Sequence, residues 1–201
     1  MKLFYSPGAC SLASHIVLHE SGLAFETEKV DLRSHKTAGG VDFYSINDKG
    51  YVPALMLNDG ELLTEGPAIG QYLADLVSSK QLLPPAGSLA RVKVQEWLTF
   101  IGTEIHKSFG PLWYPTVPEE TKQAARAALD KRFKLVEQRL AGKDYLMGAS
   151  FSVADPYLFV MLSWCKFHAI SLEGFPNLQA FMARMADRPG VQAALKAEGL
   201  M

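Results

Sequence analysis

The first 32 residues set the order of the secondary structure, and they read MKLFYSPGACSLASHIVLHESGLAFETEKVDL. Lys2–Tyr5 is predicted to be a short strand, which the following SPG turn ends. Ser11–Ser21 carries apolar residues at helical spacing, and Gly22 is suited to end that helix as its C′ residue. Residues 25–32 alternate and contain β-branched side chains, which is typical of a strand. The stretch therefore predicts a β-α-β unit with two parallel strands and a right-handed crossover.

Residues 52–64, VPALMLNDGELLT, predict a β-hairpin, because an Asp-Gly pair lies between two apolar runs. Pro67 follows at a position where a helix can begin, and apolar residues then repeat at helical spacing. Residues 33–50 are polar and contain Gly-Gly and NDKG breakers, and their pattern favours a helix only slightly. The first part of the chain is thus predicted to be an α/β domain.

Residues 79–88, SKQLLPPAGS, are typical of an interdomain linker, and the pattern after them is helical. We predict domains at 1–80 and 81–201, the second all-α. Thr116 and Glu119 fit a capping box, and Ser152 with Asp155 fits a second one, which opens an apolar segment predicted to be the buried central helix. Two short helices, divided at residues 188–190, are expected to follow.

Composition excludes several classes of protein. The 201 residues carry 20 Lys and Arg against 21 Asp and Glu, and 48% are hydrophobic. Such a chain is too apolar to be disordered, and its near-zero charge gives no reason to bind nucleic acid or acidic membranes. The N-terminal apolar run is too short for a secretory signal, and residues 157–165 are too short to span a bilayer, so a cytoplasmic location is expected.

Cys10 is the first candidate for chemistry, because it lies immediately before the predicted helix. Unpaired N–H groups and the macrodipole at a helix start favour an anion and lower the pKa of a thiol. Ser11 beside it is a natural N-cap or hydroxyl donor. A small buried hydrophobe is the alternative interpretation of Cys10. With Cys165, which is expected to pack in the core, it is one of only two cysteines, too few for a disulfide framework.

Two turns are candidate binding segments. Val52 precedes Pro53, which leaves the Val52 backbone free to bind an extended peptide and makes a cis bond possible; an ordinary strand start is the alternative. Glu65 and Gly66 lie just before a helix, where a carboxylate can accept an ammonium group and N–H groups can bind a carboxylate. Simple helix capping explains the same two residues equally well.

Thr99, Thr103 and His106 form a polar row at spacings of four and three, which places them on one helical face. The row either faces the first domain or is simply solvated. The other histidines show no metal-ligand spacing with carboxylates or thiols, so no metal is predicted.

In order and spacing, five segments resemble a bacterial beta-class glutathione S-transferase, and the likeness runs the whole length of the chain. They are MKLFYSPGACSL (1–12), VPAL (52–55), LTEGPAI (63–69), EIHK (104–107) and FSVAD (151–155). The resemblance implies a thioredoxin-like first domain that binds glutathione, an all-helical second domain that contributes the electrophile pocket, and a homodimer. It implies no metal.

The resemblance also implies roles for residues. Cys10 would lie beside the glutathione sulfur and can form a mixed disulfide with it, and His106 would approach both. Val52, with Pro53 cis, would pair with the cysteinyl part. The γ-glutamyl end would be held by Glu65 and Gly66, and the other residues of the implied site are Tyr5, Ser11, His35, Thr99 and Thr103.

Two of these positions depart from the family pattern. His35 stands where a lysine often meets the glycyl carboxylate, and it is only partly charged at neutral pH. Thr99 stands where an asparagine is common, and its hydroxyl lacks the two donors of an amide. Both changes bear on the strength of glutathione binding and leave the expected fold unchanged.

The implied activity is conjugation of the glutathione thiolate to an apolar electrophile. An aromatic set suits the pocket for such a substrate: Phe109, Trp113, Tyr114, Trp164 and Phe167. Thiol transfer or peroxidase chemistry through a Cys10–glutathione mixed disulfide is a compatible side activity. A non-catalytic glutathione-binding or regulatory module of the same fold is the alternative, and a single-cysteine, glutaredoxin-like reductase is a third interpretation.

Overall fold

A computed structural model describes all residues, 1–201, and the chain divides into two compact units. The first unit comprises residues 1–83 together with 187–201, and the second comprises residues 84–186. This division differs from the predicted domains, 1–80 and 81–201, mainly at the C-terminus, where the last helix belongs to the first unit.

The first unit contains a five-stranded sheet. Its elements up to residue 83 are β1 (Lys2–Tyr5), α1 (Ser11–Ser21), β2 (Glu26–Asp31), β3 (Lys36–Thr37), β4 (Ala54–Met56), β5 (Leu62–Thr64) and α2 (Gly66–Leu76). The strand order is β3-β2-β1-β4-β5, in which β1 and β2 are parallel and the other pairs are antiparallel. The predicted β-α-β unit and β-hairpin are confirmed, and Gly22 ends α1 at φ 72°.

One face of the sheet packs on a small apolar core, in which Phe4 contacts Phe43 with ring centroids 5.6 Å apart. Phe43 begins the only helical turn in residues 33–50, a 3₁₀ turn over Phe43–Ser45. The side chain of Asp42 caps this turn by accepting from the Tyr44 N–H at 3.1 Å. The longer helix that the pattern slightly favoured is therefore wrong, because the Gly39-Gly40 and NDKG breakers leave too few residues between them.

The regular elements of the second unit are all helices, joined by turns and loops. Its elements are α3 (Leu89–Phe100), a π-helical segment (Ile101–His106), α4 (Lys107–Phe109), α5 (Glu119–Leu140), α6 (Ala154–Ser163) and α7 (Pro176–Ala186). Every residue of α6 except Ser163 is buried, which confirms the predicted central helix.

The two predicted capping boxes have different outcomes. The box at Thr116 is wrong: α5 begins at Glu119 with Pro118 as its N-cap, because a proline disfavours the helical conformation for the residue before it. The box at Ser152 forms only in part, because α6 begins at Ala154 with Val153 as its N-cap. Asp155 accepts from the Ser152 N–H at 2.7 Å and from the Ser152 hydroxyl at 3.0 Å, and Ser152 Oγ accepts from the Ala154 N–H at 3.4 Å.

The last helix, α8 (Pro189–Ala197), packs against α1 in the first unit. Arg188, just before it, forms an ion pair with Glu20 of α1 at 2.6 Å. Gly190 permits this approach, because a Cβ there would lie 2.7 Å from a carboxylate oxygen of Glu20. None of the helices in the structure has the length and apolar character that crossing a membrane requires.

Candidate functional site

Cys10 lies in the turn between β1 and α1, one residue before the helix. Its thiol donates a hydrogen bond to the Val52 carbonyl oxygen at 3.3 Å. Burial raises the pKa of this thiol to about 11, although the backbone N–H groups of Cys10 and Ser11 act in the opposite direction. The expectation that the helix start lowers this pKa is therefore wrong for the free protein, in which Cys10 is a neutral thiol.

Ser11 stabilises the same turn by hydrogen bonds to Ser6. Its fully buried hydroxyl donates to the Ser6 carbonyl at 3.3 Å and accepts from the Ser6 N–H at 3.2 Å. Cys10 occupies the N-cap position, so the suggestion that Ser11 caps the helix is wrong, whereas its role as a hydroxyl donor is met within the turn. Tyr5, at the end of β1, has its pKa raised by burial and then by the nearby Glu198 carboxylate, so it is a neutral phenol at pH 7.

Val52 and Pro53 connect the breaker loop to β4. The peptide bond between them is cis, as the resemblance implied, and both residues are buried. Gly66 starts α2 beside them, and a Cβ at Gly66 would lie 3.7 Å from Pro53 Cγ. The structure thus places the thiol of Cys10, the carbonyl of Val52 and the start of α2 around one end of the sheet.

Glu65 adopts a positive φ of 67° and is exposed. One of its carboxylate oxygens accepts from Lys49 Nζ at 2.8 Å and from the Tyr51 hydroxyl at 2.7 Å. The sequence reasoning missed Lys49 and Tyr51. Neither carries a local signal, because the contacts form only when the NDKG loop is brought beside the strand β5.

His35 also has a positive φ, 51°, and its ring packs on Tyr44 at a centroid distance of 4.7 Å. Its Nδ1 lies 3.0 Å from the Gly50 carbonyl. A carbonyl oxygen only accepts, so Nδ1 carries a proton and donates. The side chain is therefore held by the hydrogen bond from Nδ1, and its other ring nitrogen, Nε2, lies 3.5 Å from the Tyr44 hydroxyl.

The polar row of the second unit is divided by the π-helical segment. Thr99 and Thr103 are exposed and donate to the carbonyls four residues earlier, at 2.8 and 3.0 Å. His106 is partly buried, with Nδ1 2.7 Å from the Tyr157 hydroxyl and the ring 5.0 Å from that of Trp164. Burial, and then the charge of Lys107, lowers the pKa of His106 to about 4, so the imidazole is neutral at pH 7.

Four of the five predicted pocket residues belong to one aromatic cluster. Trp113 packs against Trp164 at 5.1 Å and against Phe167 at 6.2 Å, and Phe109 packs against Trp164 at 5.5 Å. Tyr114 shows no ring contact and is 63% exposed. The sequence reasoning missed His168, whose ring lies 4.3 Å from Trp113 and whose Nε2 is buried without a hydrogen-bond partner.

No group of three or more His, Cys, Asp or Glu side chains is placed to hold a metal ion. What the two units offer instead is a helix start with a thiol, a cis-proline strand and a carboxylate turn in the first, and an aromatic cluster with a neutral histidine in the second. A thioredoxin-like unit with these features, joined to an all-helical unit, defines the glutathione transferase fold.

Comparison with known proteins gives the family. The family model "Glutathione S-transferase, N-terminal domain" matches residues 8–76, and "Glutathione S-transferase, C-terminal domain" matches residues 96–189. The chain is 52% identical over 200 residues to the glutathione S-transferase GstA of Escherichia coli O157:H7, with all of both chains covered. It belongs to the glutathione S-transferase family, which confirms the predicted fold and enzyme class.

Solved structures give the subclass. A bacterial beta-class glutathione S-transferase from Sphingomonas chungbukensis matches with a TM-score of 0.97 and 49% identity, covering both chains completely. A sphingomonad glutathione S-transferase complexed with glutathione matches with a TM-score of 0.96 and 49% identity, again over both chains. The resemblance to the beta class is confirmed.

Proposed function

We propose that this transferase binds glutathione on its first unit and adds the glutathione thiolate to apolar electrophiles. The observation that carries the proposal is the arrangement at one end of the sheet, where the Cys10 thiol, the Val52 backbone and the Glu65-Gly66 turn come together. The same unit in a relative complexed with glutathione supports it.

The peptide part of glutathione would be bound by backbone hydrogen bonds and by charged side chains of the first unit. The Val52 backbone would pair with the cysteinyl residue, and the Glu65 carboxylate would accept the γ-glutamyl ammonium beside the Gly66 N–H. Lys49 and Tyr51 already hold this carboxylate in place, so little side-chain entropy is lost when the ammonium binds. In its protonated form, His35 would donate from Nε2 to the glycyl carboxylate, since Nδ1 donates to the Gly50 carbonyl.

The glutathione sulfur would lie at the start of α1. The N–H groups and dipole of this helix start would stabilise its thiolate and raise the thiolate fraction, which is the main catalytic gain. Cys10, as a neutral thiol, and His106, as a neutral imidazole, add hydrogen-bonding groups rather than charges. Ser11 supports the turn, Tyr5 has a minor part, and Thr99 and Thr103 would contribute polar contacts.

The electrophile would be bound by the aromatic set of the second unit, Phe109, Trp113, Tyr114, Trp164 and Phe167. Flat, polarisable walls suit aryl and other apolar substrates. Detoxification of such compounds in the cytoplasm, by a homodimer of this chain, is the setting that the beta-class relationship supports.

A side activity through Cys10 is also proposed. The Cys10 thiolate would attack the glutathione sulfur of a disulfide between glutathione and another thiol, forming the Cys10–glutathione disulfide and releasing that thiol as its thiolate. A free glutathione thiolate would then attack the glutathione sulfur of this disulfide, which restores Cys10 and releases glutathione disulfide. Because burial holds the Cys10 pKa at about 11, this exchange is expected to be slower than conjugation at neutral pH.

Conjugation of glutathione to an activated aryl halide tests the main proposal. We expect turnover by the intact protein and retention on a glutathione-affinity column. Cys10→Ala and His106→Ala should each lower kcat/KM, whereas Cys165→Ala, which alters the buried cysteine outside the site, should not. Column retention without turnover would instead favour the non-catalytic binding module, and unchanged kinetics in both site variants would remove Cys10 and His106 from the mechanism.

A further inference from the structure

The Tyr157 hydroxyl is the hydrogen-bond partner of His106 in the second unit. It lies 2.7 Å from Nδ1, and Tyr157 is only 8% exposed on the buried helix α6. Because the surrounding helix is buried on every side, this hydroxyl has one fixed position. Because Nδ1 of His106 is hydrogen-bonded to Tyr157, only Nε2 is available to bind another group.

The backbone near His106 is shaped to permit this contact. The Lys107 N–H bonds to the Gly102 carbonyl five residues earlier, which is the π-helical pattern. Single π turns within α-helices are frequent at functional sites. Gly102 also makes room, since a Cβ there would lie 3.4 Å from the Tyr157 hydroxyl oxygen.

The direction of the hydrogen bond follows from chemistry. A neutral imidazole has one N–H and one bare, strongly accepting nitrogen, whereas a phenol is a better donor than acceptor. The hydroxyl of Tyr157 therefore donates to Nδ1, and the imidazole proton lies on Nε2. The lowered pKa of His106, about 4, is consistent with a ring that carries only this one proton at pH 7.

We propose that Tyr157 is a positioning residue that sets His106 as a neutral Nε2–H donor, so that His106 donates a hydrogen bond to the glutathione thiolate. His106 then does not remove the thiol proton, which leaves to solvent as the thiolate forms. This inference rests on the proposed role of His106 toward the glutathione sulfur, and it adds the tautomer and the residue that selects it.

Kinetics of Tyr157→Phe provide the first test, because the variant removes one oxygen and keeps the ring. We expect kcat for an activated aryl halide to fall about tenfold, the effect of losing one hydrogen bond to a charged group, with KM for glutathione nearly unchanged. Tyr145→Phe, a tyrosine elsewhere in the second unit, should show no change. In a His106→Ala background, Tyr157→Phe should cause no further loss; an additive loss would overturn the proposal.

The tautomer provides a second, independent readout. Long-range proton–nitrogen spectra of the ¹⁵N-labelled protein at pH 7 distinguish Nε2–H from Nδ1–H, and His106→Gln identifies the His106 signals among the five histidines. We expect Nε2–H in the parent protein and a shift toward Nδ1–H in Tyr157→Phe. An Nδ1–H parent, or an unchanged variant, contradicts the inference. If His106→Ala keeps full activity while the spectra match, the proposed role of His106 fails and its tautomer assignment stands.

Discussion

Cys10 illustrates how one residue can have a predictable position and an unpredictable chemistry. The sequence places it at a helix start, and α1 does begin at Ser11. The helix start alone favours a thiolate, but burial of the thiol outweighs it and raises the pKa to about 11. Burial depends on the Val52 loop, which is remote in sequence, and so the local pattern could not reveal it.

The raised pKa predicts slow alkylation of Cys10. At pH 7.5 fewer than about one in a thousand Cys10 side chains should be thiolate. In a Cys165→Ala variant, which leaves Cys10 as the single cysteine, iodoacetamide labelling followed by intact mass should be at least about tenfold slower than in denaturant. The rate should rise steadily between pH 7 and 9.5. A rate that levels off near pH 7–8 would show that the thiol is activated after all.

His106 gives a second residue-level prediction, on stability against pH. Its pKa falls from 6.5 to about 4 on folding, so between these values the unfolded chain binds the extra proton and stability is lost as pH decreases. This group contributes a loss on the order of 3 kcal/mol on going from pH 7.5 to below 4. In urea unfolding at pH 7.5 and 5, His106→Gln should lose less stability on acidification than the parent. An equal loss in both proteins would contradict the shifted pKa.

Among the elements, the start of α6 was predictable because its signals are adjacent in sequence. Ser152 and Asp155 are three residues apart, and the Asp155 carboxylate accepts from the N–H and the hydroxyl of Ser152, which is one half of the box. The box at Thr116 has the same spacing and does not form, since Pro118 lies inside it. The sequence did not reveal the π-helical segment, because its buried residues, Ile101 and Ile105, keep the i, i+4 spacing of an ordinary α-helix.

Removal of the Asp155 carboxylate should strongly destabilise the second unit. Asp155 is fully buried and also accepts from the Leu146 N–H at 2.9 Å, so it ties the preceding turn to α6. Asp155→Ala leaves buried donors unpaired and should lower the free energy of unfolding by about 3 kcal/mol, measured by urea denaturation. Asp130→Ala, on the exposed face of α5, is the matched control and should change it by less than about 0.5 kcal/mol. A similar decrease in the free energy of unfolding in both variants would show that the Asp155 carboxylate does not stabilise the second unit.

At the scale of the whole molecule, the division of the chain is the feature that sequence reasoning predicted least well. The linker near residues 79–88 marks the first boundary closely, because its proline and glycine content is local. The return of residues 187–201 to the first unit has no such mark. It depends on long-range contacts, which include the packing of α8 on α1, the Arg188–Glu20 ion pair, and the contacts of Glu198 with α1 and with the turn before it.

Glu198 connects the C-terminal segment to the turn that carries Cys10. Its fully buried carboxylate accepts from the Gly8 N–H at 2.9 Å and lies 2.9 Å from His15 Nδ1. His15 in turn packs on Tyr5 at 5.5 Å. The C-terminal segment thus stabilises the β1–α1 turn through the bonds of Glu198 to Gly8 and His15. Because this turn carries Cys10, the C-terminal segment supports the candidate glutathione site.

Replacement of Glu198 therefore should affect both the stability and the activity of the protein. Glu198→Ala leaves the Gly8 N–H and the His15 ring without their buried partner, and we expect a loss of about 3 kcal/mol in the free energy of unfolding. For a chain of this length, that corresponds to roughly 6–12 °C in Tm. Lys196→Ala, exposed on α8, is the control and should leave the free energy of unfolding and Tm unchanged.

Because the turn before Cys10 loses its support, KM for glutathione should rise in Glu198→Ala at temperatures where the protein is still folded. A destabilised variant with an unaltered KM would show that Glu198 supports the fold alone and not the geometry of the site.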